Sequence, residues 1–475
     1  MEADWSYASV MDRKAQIMQK AIGLDYEDLI LSPIAFDYER MMKQVGYDIG
    51  EILSIQRETS VGKTPMLELH NITALGRKLA PSGKGARILV KDEAANPSGS
   101  FKDRRASLSV YVAKRNGFPG VIAATSGNYG AAVASQAAIR GLKCIIIQEV
   151  YDGRGVGQPE ILEKSRKCEA YGAEVHQLSV GPELFYVLLC LLEETGFFNA
   201  SLTTPFAIAG IETLGFEVGI EVKKQEGREP TAVVIAHAGG GNLTGTARGL
   251  LKGHCPGTEI IGASVDLTGL HMASDFDFNR KSFTTAHTGF AVPSTTWPDR
   301  ADVPRSACRP LRYMDRFVTV KQGDVFYMTE MLAQLEGLEK GPAGNTSLAA
   351  AFAIAQEMDE DAIVVVQETE YTGAGKHPWA QLNFAFKNGI EIKYGDPQEE
   401  IAGKNIILPD HPRQIQAKEV SLEKMRQSYL KNVITNLTGK SISETDVNYL
   451  VEETKSGQHF VTNVLAESGI SIASR

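Results

Sequence analysis

Cysteine is scarce in this sequence of 475 residues, with five cysteines that lie far apart and form no C-x-x-C pair. This spacing favours neither a disulfide framework nor a zinc knuckle. Long hydrophobic runs are also lacking, since no stretch of about 20 apolar residues occurs that could cross a membrane. The N-terminal stretch is polar and acidic, whereas a secretory signal is basic and then apolar. We therefore expect a cytoplasmic protein without a membrane partner.

An excess of positive charge is absent as well. Lys and Arg number 49 and Asp and Glu number 58, so the formal net charge is −9. A negative net charge argues against a protein whose whole surface binds nucleic acid. We therefore expect no nucleic-acid partner. Hydrophobic residues make up 43% and charged residues 23%, as is ordinary for globular proteins. At about 100 to 200 residues per domain, the length allows about two to four domains.

Several catalytic motifs are missing. The segment 62–64 (Gly-Lys-Thr) resembles the end of a P-loop, but Arg57 stands where that loop requires its first glycine. The Ser-x-x-Lys pattern of serine acylases fails because Gly99 stands at the serine position. The nine histidines include no H-E-x-x-H, and no G-x-G-x-x-G follows the first predicted strand. We therefore expect no metal site, and nicotinamide chemistry is disfavoured.

Short apolar, β-branched runs alternate with amphipathic stretches from about residue 64 onward. Such apolar runs are typical of strands covered on both faces, and helical stretches such as 130–140 and 245–251 separate them. We therefore predict an α/β fold with mostly parallel sheets and ligand sites at the carboxyl ends of the strands. The predicted strands are 87–90, 120–124, 143–147, 232–236, 259–263 and 362–366.

The remaining segments predict the organisation of the chain. Apolar residues three and four apart in 11–22 predict a helix in the N-terminal region. The irregular region 264–316 is long for a plain connection, so we interpret it as a lid or a partner-facing insertion, with a purely structural excursion as the alternative. The expected parts are a helical N-terminal cap (1–60), a large domain (61–109 and 211–408, with the insertion 264–316), a small domain (110–210) and a helical C-terminal tail (409–475).

Three turns that each follow a predicted strand carry the candidate chemistry. The lysine turn, 96–105, opens a helix with Lys102, and a helix N-terminus favours the neutral amine that a nucleophile or base requires. The Ser-Gly-Asn turn, 124–130, and the glycine turn, 238–245, offer backbone N–H groups to an anion. A lysine in such a turn, taken alone, is more often a solvated surface residue than a catalytic one. A turn rich in glycine is likewise often only a tight bend without a ligand.

These turns, in this order, resemble those of the tryptophan-synthase-β-like enzymes, the fold type II family that uses pyridoxal 5'-phosphate. The resemblance covers about residues 60 to 395 and includes a fourth turn, 341–350, which is similar to a helix-opening turn that these enzymes place near the cofactor. It implies two open, mostly parallel βα domains with helical N- and C-terminal extensions. Four ordered motifs are far more specific than any one of them.

The resemblance also implies roles for individual residues. Lys102 would be catalytic and form the Schiff base with the cofactor, and Asn128 would contact the pyridine 3-oxygen. A hydroxyl, that of Thr372 or of the nearby Thr369, would face the ring nitrogen. The implied phosphate site consists of Gly239, Gly240, Gly241, Asn242 and Leu243, and the implied substrate-carboxylate site consists of Thr125, Ser126 and Gly127.

Within this fold type the sequence is similar, nearly end to end, to the β subunits of 2-amino-4-oxopentanoate thiolases. The stretches that carry this similarity are 34–42, 91–102, 157–163 and 368–377. The resemblance implies cleavage of 2-amino-4-oxopentanoate by coenzyme A to alanine and acetyl-coenzyme A during ornithine degradation. It also implies a small α subunit as partner, and self-association. The alternatives are a threonine-synthase-like β- or γ-replacement or elimination lyase, and a catalytically silent cofactor-binding subunit.

The sequence leaves the coenzyme A site open. Four arginines three to four apart in the irregular region could meet its phosphates, although a salt-bridged basic face is the more common use of such a pattern. His271 and His287 could activate the thiol or polarise the ketone, although a structural histidine is more common. The four arginines are Arg305, Arg309, Arg312 and Arg316.

Overall fold

The computed structural model describes residues 4–125, 127–181, 183–267, 282–284, 295–299, 303–371, 378–437, 439 and 441–473. Its helices are α1 (Tyr7–Asp12), α2 (Lys14–Ile22), α3 (Tyr38–Lys43), α4 (Ile49–Arg57), α5 (His70–Leu79), α6 (Lys102–Arg115), α7 (Asn128–Arg140), α8 (Pro159–Ala170), α9 (Glu183–Thr195), α10 (Pro205–Glu226), α11 (Gly241–Lys252), α12 (Gln322–Glu336), α13 (Pro342–Ala355), α14 (Pro378–Lys387), α15 (Leu422–Thr435), α16 (Glu444–Thr454) and α17 (Gln458–Glu467). Its strands are β1 (Met66–Glu68), β2 (Arg87–Asp92), β3 (Gly120–Thr125), β4 (Lys143–Tyr151), β5 (Glu174–Ser179), β6 (Phe198–Asn199), β7 (Ala232–Ala236), β8 (Glu259–Val265), β9 (Arg316–Val320), β10 (Ile363–Glu368), β11 (Glu391–Gly395), β12 (Asn405–Pro409), β13 (Lys418–Glu419), β14 (Ser441–Ile442) and β15 (Ser471–Ile472).

The larger sheet has the strand order β1-β2-β10-β7-β8-β9-β13. Its five central strands run parallel, and only the edge strands β1 and β13 pair antiparallel with their neighbours. The central strands are almost entirely buried, as continuous Val and Ile runs require when helices cover both faces. The two faces are visible at β10, where Gln367 bonds to Thr246 on α11 while the next side chain, Glu368, points to Gly344 on α13.

The smaller sheet has the order β5-β4-β3-β6, and all its strands run parallel. Helix α7 packs on β3 and β4, α8 on β5, and α9 on β3. The α/β architecture with mostly parallel sheets is therefore as predicted, and all six predicted strands are present. Among the described helices none is long and apolar enough to span a bilayer.

The N-terminal helices and the C-terminal helices pack onto this core. Helices α1 and α2 contact α9, and α4 contacts α6 and α10. The C-terminal helices are fastened by Glu453 on α16, a buried carboxylate that pairs with Arg309 at 3.1 Å and Arg312 at 2.6 Å. Tyr429 on α15 donates to the same carboxylate at 2.9 Å. These arginines belong to the irregular region, so that region joins the tail to the body of the protein.

Candidate active site

Two of the turns singled out in the sequence, the lysine turn and the glycine turn, lie at the same edge of the larger sheet. Strand β10 lies between β2, which precedes the lysine turn, and β7, which precedes the glycine turn. Because these strands are parallel, their carboxyl ends share an edge. Two backbone hydrogen bonds fix the lysine turn to the end of β10: Phe101 N–H donates to Thr369 O at 3.1 Å, and Tyr371 N–H donates to Gly99 O at 2.8 Å.

Glycine is required in the lysine turn at Gly99. Its φ is +80°, in the left-handed region, and a Cβ there would lie 2.6 Å from the Tyr371 carbonyl oxygen. The next turn of the chain is held by Asp103, whose carboxylate accepts a hydrogen bond from Ser98 N–H at 2.7 Å. This bend places Lys102 at the first position of α6.

Lys102 carries an amine that is partly neutral near neutral pH. Burial lowers its pKa to about 7, and the positive charges of Arg105 and Lys164 act in the same direction. The carboxylates of Glu370 and Glu160 oppose this shift but do not outweigh it. A neutral amine is the form that attacks a carbonyl carbon or accepts a proton. The electrostatics therefore suit the role that the resemblance implies for Lys102.

A buried ion network holds the helix that carries Lys102. The guanidinium of Arg104, fully buried, contacts Glu93 at 2.7 and 2.8 Å and Glu217 at 2.8 Å. Glu93 also accepts from the Thr64 hydroxyl at 2.6 Å, and Lys91 lies 3.2 Å from Glu217. These residues come from β2, from the short turn that follows it, from α6, from α10 and from the segment before β1. The network therefore joins the start of α6 to each of these parts of the chain.

The Ser-Gly-Asn turn lies at the carboxyl end of β3, on the smaller sheet. Thr125 is the last residue of β3, and its hydroxyl accepts hydrogen bonds from the N–H groups of Gly127 at 3.0 Å and Gly130 at 3.2 Å. The Thr125 hydroxyl is thus already engaged by the turn itself. Asn128 begins α7, is 7% exposed, and its Oδ1 has no hydrogen-bond partner in the described chain. Ser126 lies outside the described residues.

The glycine turn forms the N-terminus of α11. Gly240 caps the helix with a φ of +81°, and a Cβ there would lie 2.7 Å from a Pro310 side-chain carbon. Within the helix the first backbone bond runs from Thr244 N–H to Gly240 O. The amides of 241–243 are therefore the free N-terminal donors that bind anions in other helices. The Nδ2 of Asn242 is buried and lacks a partner among described residues.

The fourth turn, 341–350, opens α13 close to the lysine turn, because Gly341 N–H donates to Glu370 O at 3.3 Å and Glu370 bridges to Ser100. Asn345 and Thr346 are buried there, and Asn345 Oδ1 and Thr346 Oγ1 have no partner in the described chain. Glu368, at the end of β10, points at this helix N-terminus, since a Cβ on Gly344 would lie 1.9 Å from its Oε1. Burial raises the pKa of Glu368 well above its usual range, so its neutral form is favoured.

Sequence reasoning missed a buried pair on α8. Glu160 and Lys164 form an ion pair one helical turn apart, with exposed fractions of 1% and 4%. The Lys164 side chain lies against the Ser-Gly-Asn turn, because a Cβ on Gly127 would lie 3.1 Å from its Cδ. The i, i+4 spacing was readable in the sequence, but nothing there indicated that both charges are buried. Arg105, the residue after the run Lys102-Asp103-Arg104, was missed for the same reason, since nothing in the sequence indicated that its charge is buried.

Thr372, His271 and His287 fall outside the described residues. Thr369 is buried at the end of β10, where its carbonyl receives the Phe101 N–H.

The four arginines of the irregular region are all paired. Arg309 and Arg312 bind the Glu453 carboxylate, Arg305 pairs with Asp299 at 3.1 Å, and Arg316 pairs with Glu419. These pairs favour the salt-bridged interpretation over a coenzyme A site.

The donor set of the site fits pyridoxal phosphate. The aldehyde of this cofactor reacts with a neutral amine. Its ring oxygen requires a polar side chain as hydrogen-bond partner, and its phosphate requires a group of N–H donors. The described residues supply the amine of Lys102, the buried amide side chain of Asn128, whose Oδ1 has no partner among them, and the helix N-terminus at Gly241. The residues present therefore fit the cofactor that the resemblance implies.

Comparison with known proteins gives the same cofactor. Residues 57–369 match the family model described as pyridoxal-phosphate dependent enzyme. A curated "2-amino-4-ketopentanoate thiolase beta subunit" from an unknown prokaryotic organism is 63% identical over 99% of this chain and 100% of its own length. A second with the same name, from Acetoanaerobium sticklandii, is 63% identical over 98% of this chain and 99% of its own length.

The fold is also found among solved structures. The crystal structure of cysteine synthase from Entamoeba histolytica is similar with a TM-score of 0.53 and 23% identity, over 66% of this chain and 86% of that one. The likeness supports the fold alone, which is that of fold type II enzymes. This chain belongs to the family of pyridoxal-phosphate dependent enzymes and, within it, to the 2-amino-4-ketopentanoate thiolase β subunits.

Proposed function

We propose that this chain is the cofactor-binding subunit of an enzyme that cleaves 2-amino-4-oxopentanoate (2-amino-4-ketopentanoate) with coenzyme A, giving alanine and acetyl-coenzyme A. A small α subunit completes the enzyme. The observation that carries the proposal is the buried amine of Lys102 in a chain that matches thiolase β subunits from end to end.

The bond to be cleaved joins C3 and C4 of the substrate, and its cleavage leaves negative charge on C3. Pyridoxal phosphate, when bound, supplies an electron sink conjugated to the substrate nitrogen, which the free substrate lacks. Lys102 Nζ would hold the cofactor by its aldehyde carbon and then, once displaced by the substrate amine, accept and return protons at the adjacent carbons. Its lowered pKa suits both tasks, because the amine is partly neutral near pH 7.

The remaining residues of the site orient the two ligands. The amides at the start of α11, from Gly241 to Leu243, would bind the cofactor phosphate, and Asn128 would donate to the ring oxygen from its amide. The Ser-Gly-Asn turn before α7 would receive the substrate carboxylate at Thr125, Ser126 and Gly127. The Thr125 hydroxyl also accepts hydrogen bonds from the N–H groups of Gly127 and Gly130, which hold this turn in its conformation. The ring nitrogen would face the hydroxyl of Thr372.

The test is turnover by the purified chain with and without the small subunit. We expect acetyl-coenzyme A to form from 2-amino-4-oxopentanoate only when coenzyme A and both subunits are present. Turnover of O-phosphohomoserine or O-acetylserine without coenzyme A would instead indicate a replacement or elimination lyase. Unchanged activity of the complex after Lys102→Ala would indicate a catalytically silent subunit.

A further inference from the structure

One charged side chain near the site is not explained by the roles above. Arg105 follows Lys102 by three residues on α6, so the two side chains share a helix face. Its side chain is 5% exposed, and its Nη1 donates to Leu202 O at 3.2 Å. Its Nε has no hydrogen-bond partner in the described part of the chain.

Among the described residues, none supplies a carboxylate counter-charge to Arg105. The ionisable groups of neighbouring elements that raise its pKa are the thiol of Cys308 and the phenol of Tyr129, and burial outweighs them and lowers the pKa. No carboxylate of the described residues forms an ion pair with its guanidinium. A buried guanidinium costs several kcal/mol of desolvation without a partner, so a bound anion is the expected complement. By contrast, its neighbour Arg104 is surrounded by carboxylates.

The guanidinium is directed at the N-terminus of α11. Its Nη2 lies 2.6 Å from the position that a Cβ on Gly241 would occupy. Gly241 is the first residue of a 12-residue helix, and its N-cap Gly240 has the left-handed φ that exposes the helix amides. The amides and the guanidinium therefore border the same small space, where an amide-lined helix end and a fixed positive charge both favour an anion.

We propose that Arg105 binds the phosphate group of pyridoxal phosphate, as a charged donor beside the amides of α11. This inference rests on the cofactor assigned under the proposed function, but not on the thiolase reaction. A guanidinium suits the position because it stays charged when buried and offers paired donors to two phosphate oxygens. The phosphate is chosen over the substrate carboxylate because Arg105 contacts the glycine turn, whereas the carboxylate turn at Gly127 contacts Lys164.

The experiment compares the phosphorylated cofactor with pyridoxal, which has the same ring and aldehyde but no phosphate. Apo forms of the wild-type chain, Arg105→Met and Arg105→Lys are titrated with each compound and followed by the visible absorbance of the bound cofactor. The matched control is Arg115→Met, an exposed arginine at the end of the same helix. No amino acid or coenzyme A is present, so the result does not depend on thiolase activity.

We expect Arg105→Met to weaken binding of pyridoxal phosphate by about tenfold or more while changing pyridoxal affinity by less than about twofold. Arg105→Lys should fall between the wild-type chain and Arg105→Met, and Arg115→Met should match the wild-type chain. Equal losses for the two compounds, or no loss for either, would overturn the assignment. Failure of the wild-type chain to bind pyridoxal phosphate at all would overturn this inference and the proposed function together.

A second measurement covers the case in which Arg105→Met folds poorly. Inorganic phosphate should raise the melting temperature of the apo wild-type chain more than chloride of equal ionic strength does, because phosphate complements the buried guanidinium. The difference should shrink in Arg105→Lys, which retains the charge but not the paired donors. An equal response to phosphate and chloride in the wild-type chain would contradict an anion site at Arg105.

Discussion

The ammonium nitrogen of Lys164 lies 3.5 Å from the position that a Cβ atom on Gly127 would occupy. This relationship links α8 to the Ser-Gly-Asn turn and brings a second buried lysine toward Lys102. Lys164 is neutralised in part by Oε1 of Glu160, while the other carboxylate oxygen of Glu160, Oε2, has no hydrogen-bond partner in the described chain. The charges of Lys164 and Glu160 act on the Lys102 amine in opposite directions, since Lys164 lowers its pKa and Glu160 raises it.

Lys164→Met should raise the pH at the midpoint of the cofactor-binding profile. The substitution removes a positive charge that lowers the pKa of Lys102, and it leaves Glu160, whose charge raises that pKa. The midpoint of the pH profile for pyridoxal binding should therefore rise above about 7. The profile is measured by absorbance titration of the apo protein at a series of pH values. An unchanged midpoint would mean that Lys164 does not act on Lys102.

The double variant Glu160→Gln/Lys164→Met is the control for this prediction. The single variant leaves a buried carboxylate unpaired and should cost about 3–5 kcal/mol of unfolding free energy. The double variant removes both charges and should recover most of that loss, with a smaller shift of the pH midpoint. Chemical denaturation of all three proteins gives the comparison. A double variant as unstable as the single would show that the ion pair is not the cause.

Lys102→Ala should abolish covalent attachment of the cofactor and lower turnover by about a thousandfold. Reduction of the wild-type protein with borohydride, followed by peptide mapping, should locate the cofactor label on Lys102. Lys114, a solvent-exposed lysine on the same helix, provides the matched control variant and should behave as the wild-type protein. A label on another lysine would refute the assignment.

The unliganded amine of Lys102 should also set the pH dependence of cofactor capture. Its pKa is lowered from 10.5 to about 7 in the folded protein, so the neutral form grows as the pH rises through 7. The rate of reaction with pyridoxal should therefore increase between about pH 6 and pH 8. The pKa of Lys102 is lower in the folded protein than in the unfolded chain. The contribution of Lys102 to the free energy of unfolding is therefore fully present above about pH 10.5 and is lost as the pH falls through about 7. Stopped-flow absorbance measures the rate, and a rate that is flat over this range would contradict the lowered pKa.

The architecture was predictable where burial alone decides the structure. Central strands such as Ala232–Ala236 are continuous apolar runs, and all six runs identified in the sequence form strands. The edge strand Glu174–Ser179 was missed, because its exposed face makes its composition polar. The N-terminal stripe predicted one helix, yet the structure has two that meet at Arg13, whose guanidinium binds Glu193 at 2.7 Å. A contact 180 residues away in the sequence cannot be read from local periodicity.

The candidate site was predictable only in part. Lys102, Asn128 and the glycine turn stand in motifs, so their positions at strand ends followed from the sequence. Arg105 and Lys164 stand in no motif, and their significance depends on distances to Gly241 and Gly127 that only the folded chain defines. Whether a charged side chain is buried or exposed depends on packing between elements, which a single sequence does not reveal.

Removal of Arg104 should destabilise the protein strongly through Glu217. Burial raises the pKa of this glutamate, but the charges of Arg104 and Lys91 outweigh burial and bring it to about 2. Since this value lies below the usual 4.5, the pair contributes stability that is present above about pH 4.5 and is lost as the pH falls toward 2. Arg104→Met should therefore cost about 3–5 kcal/mol near pH 7, and the cost should shrink in acid.

Arg228→Met is the matched control, because Arg228 forms an exposed ion pair with Asp361 at 3.4 Å. Exposed pairs contribute little, so this variant should differ from the wild-type protein by less than about 1 kcal/mol at any pH. Urea denaturation of the wild-type protein and of both variants, at about pH 7 and at about pH 3, gives the six values needed. Since the Arg104 network also fastens the start of α6, Arg104→Met should weaken cofactor binding while Arg228→Met leaves it unchanged. Equal effects of the two substitutions would mean that the buried network does not position Lys102.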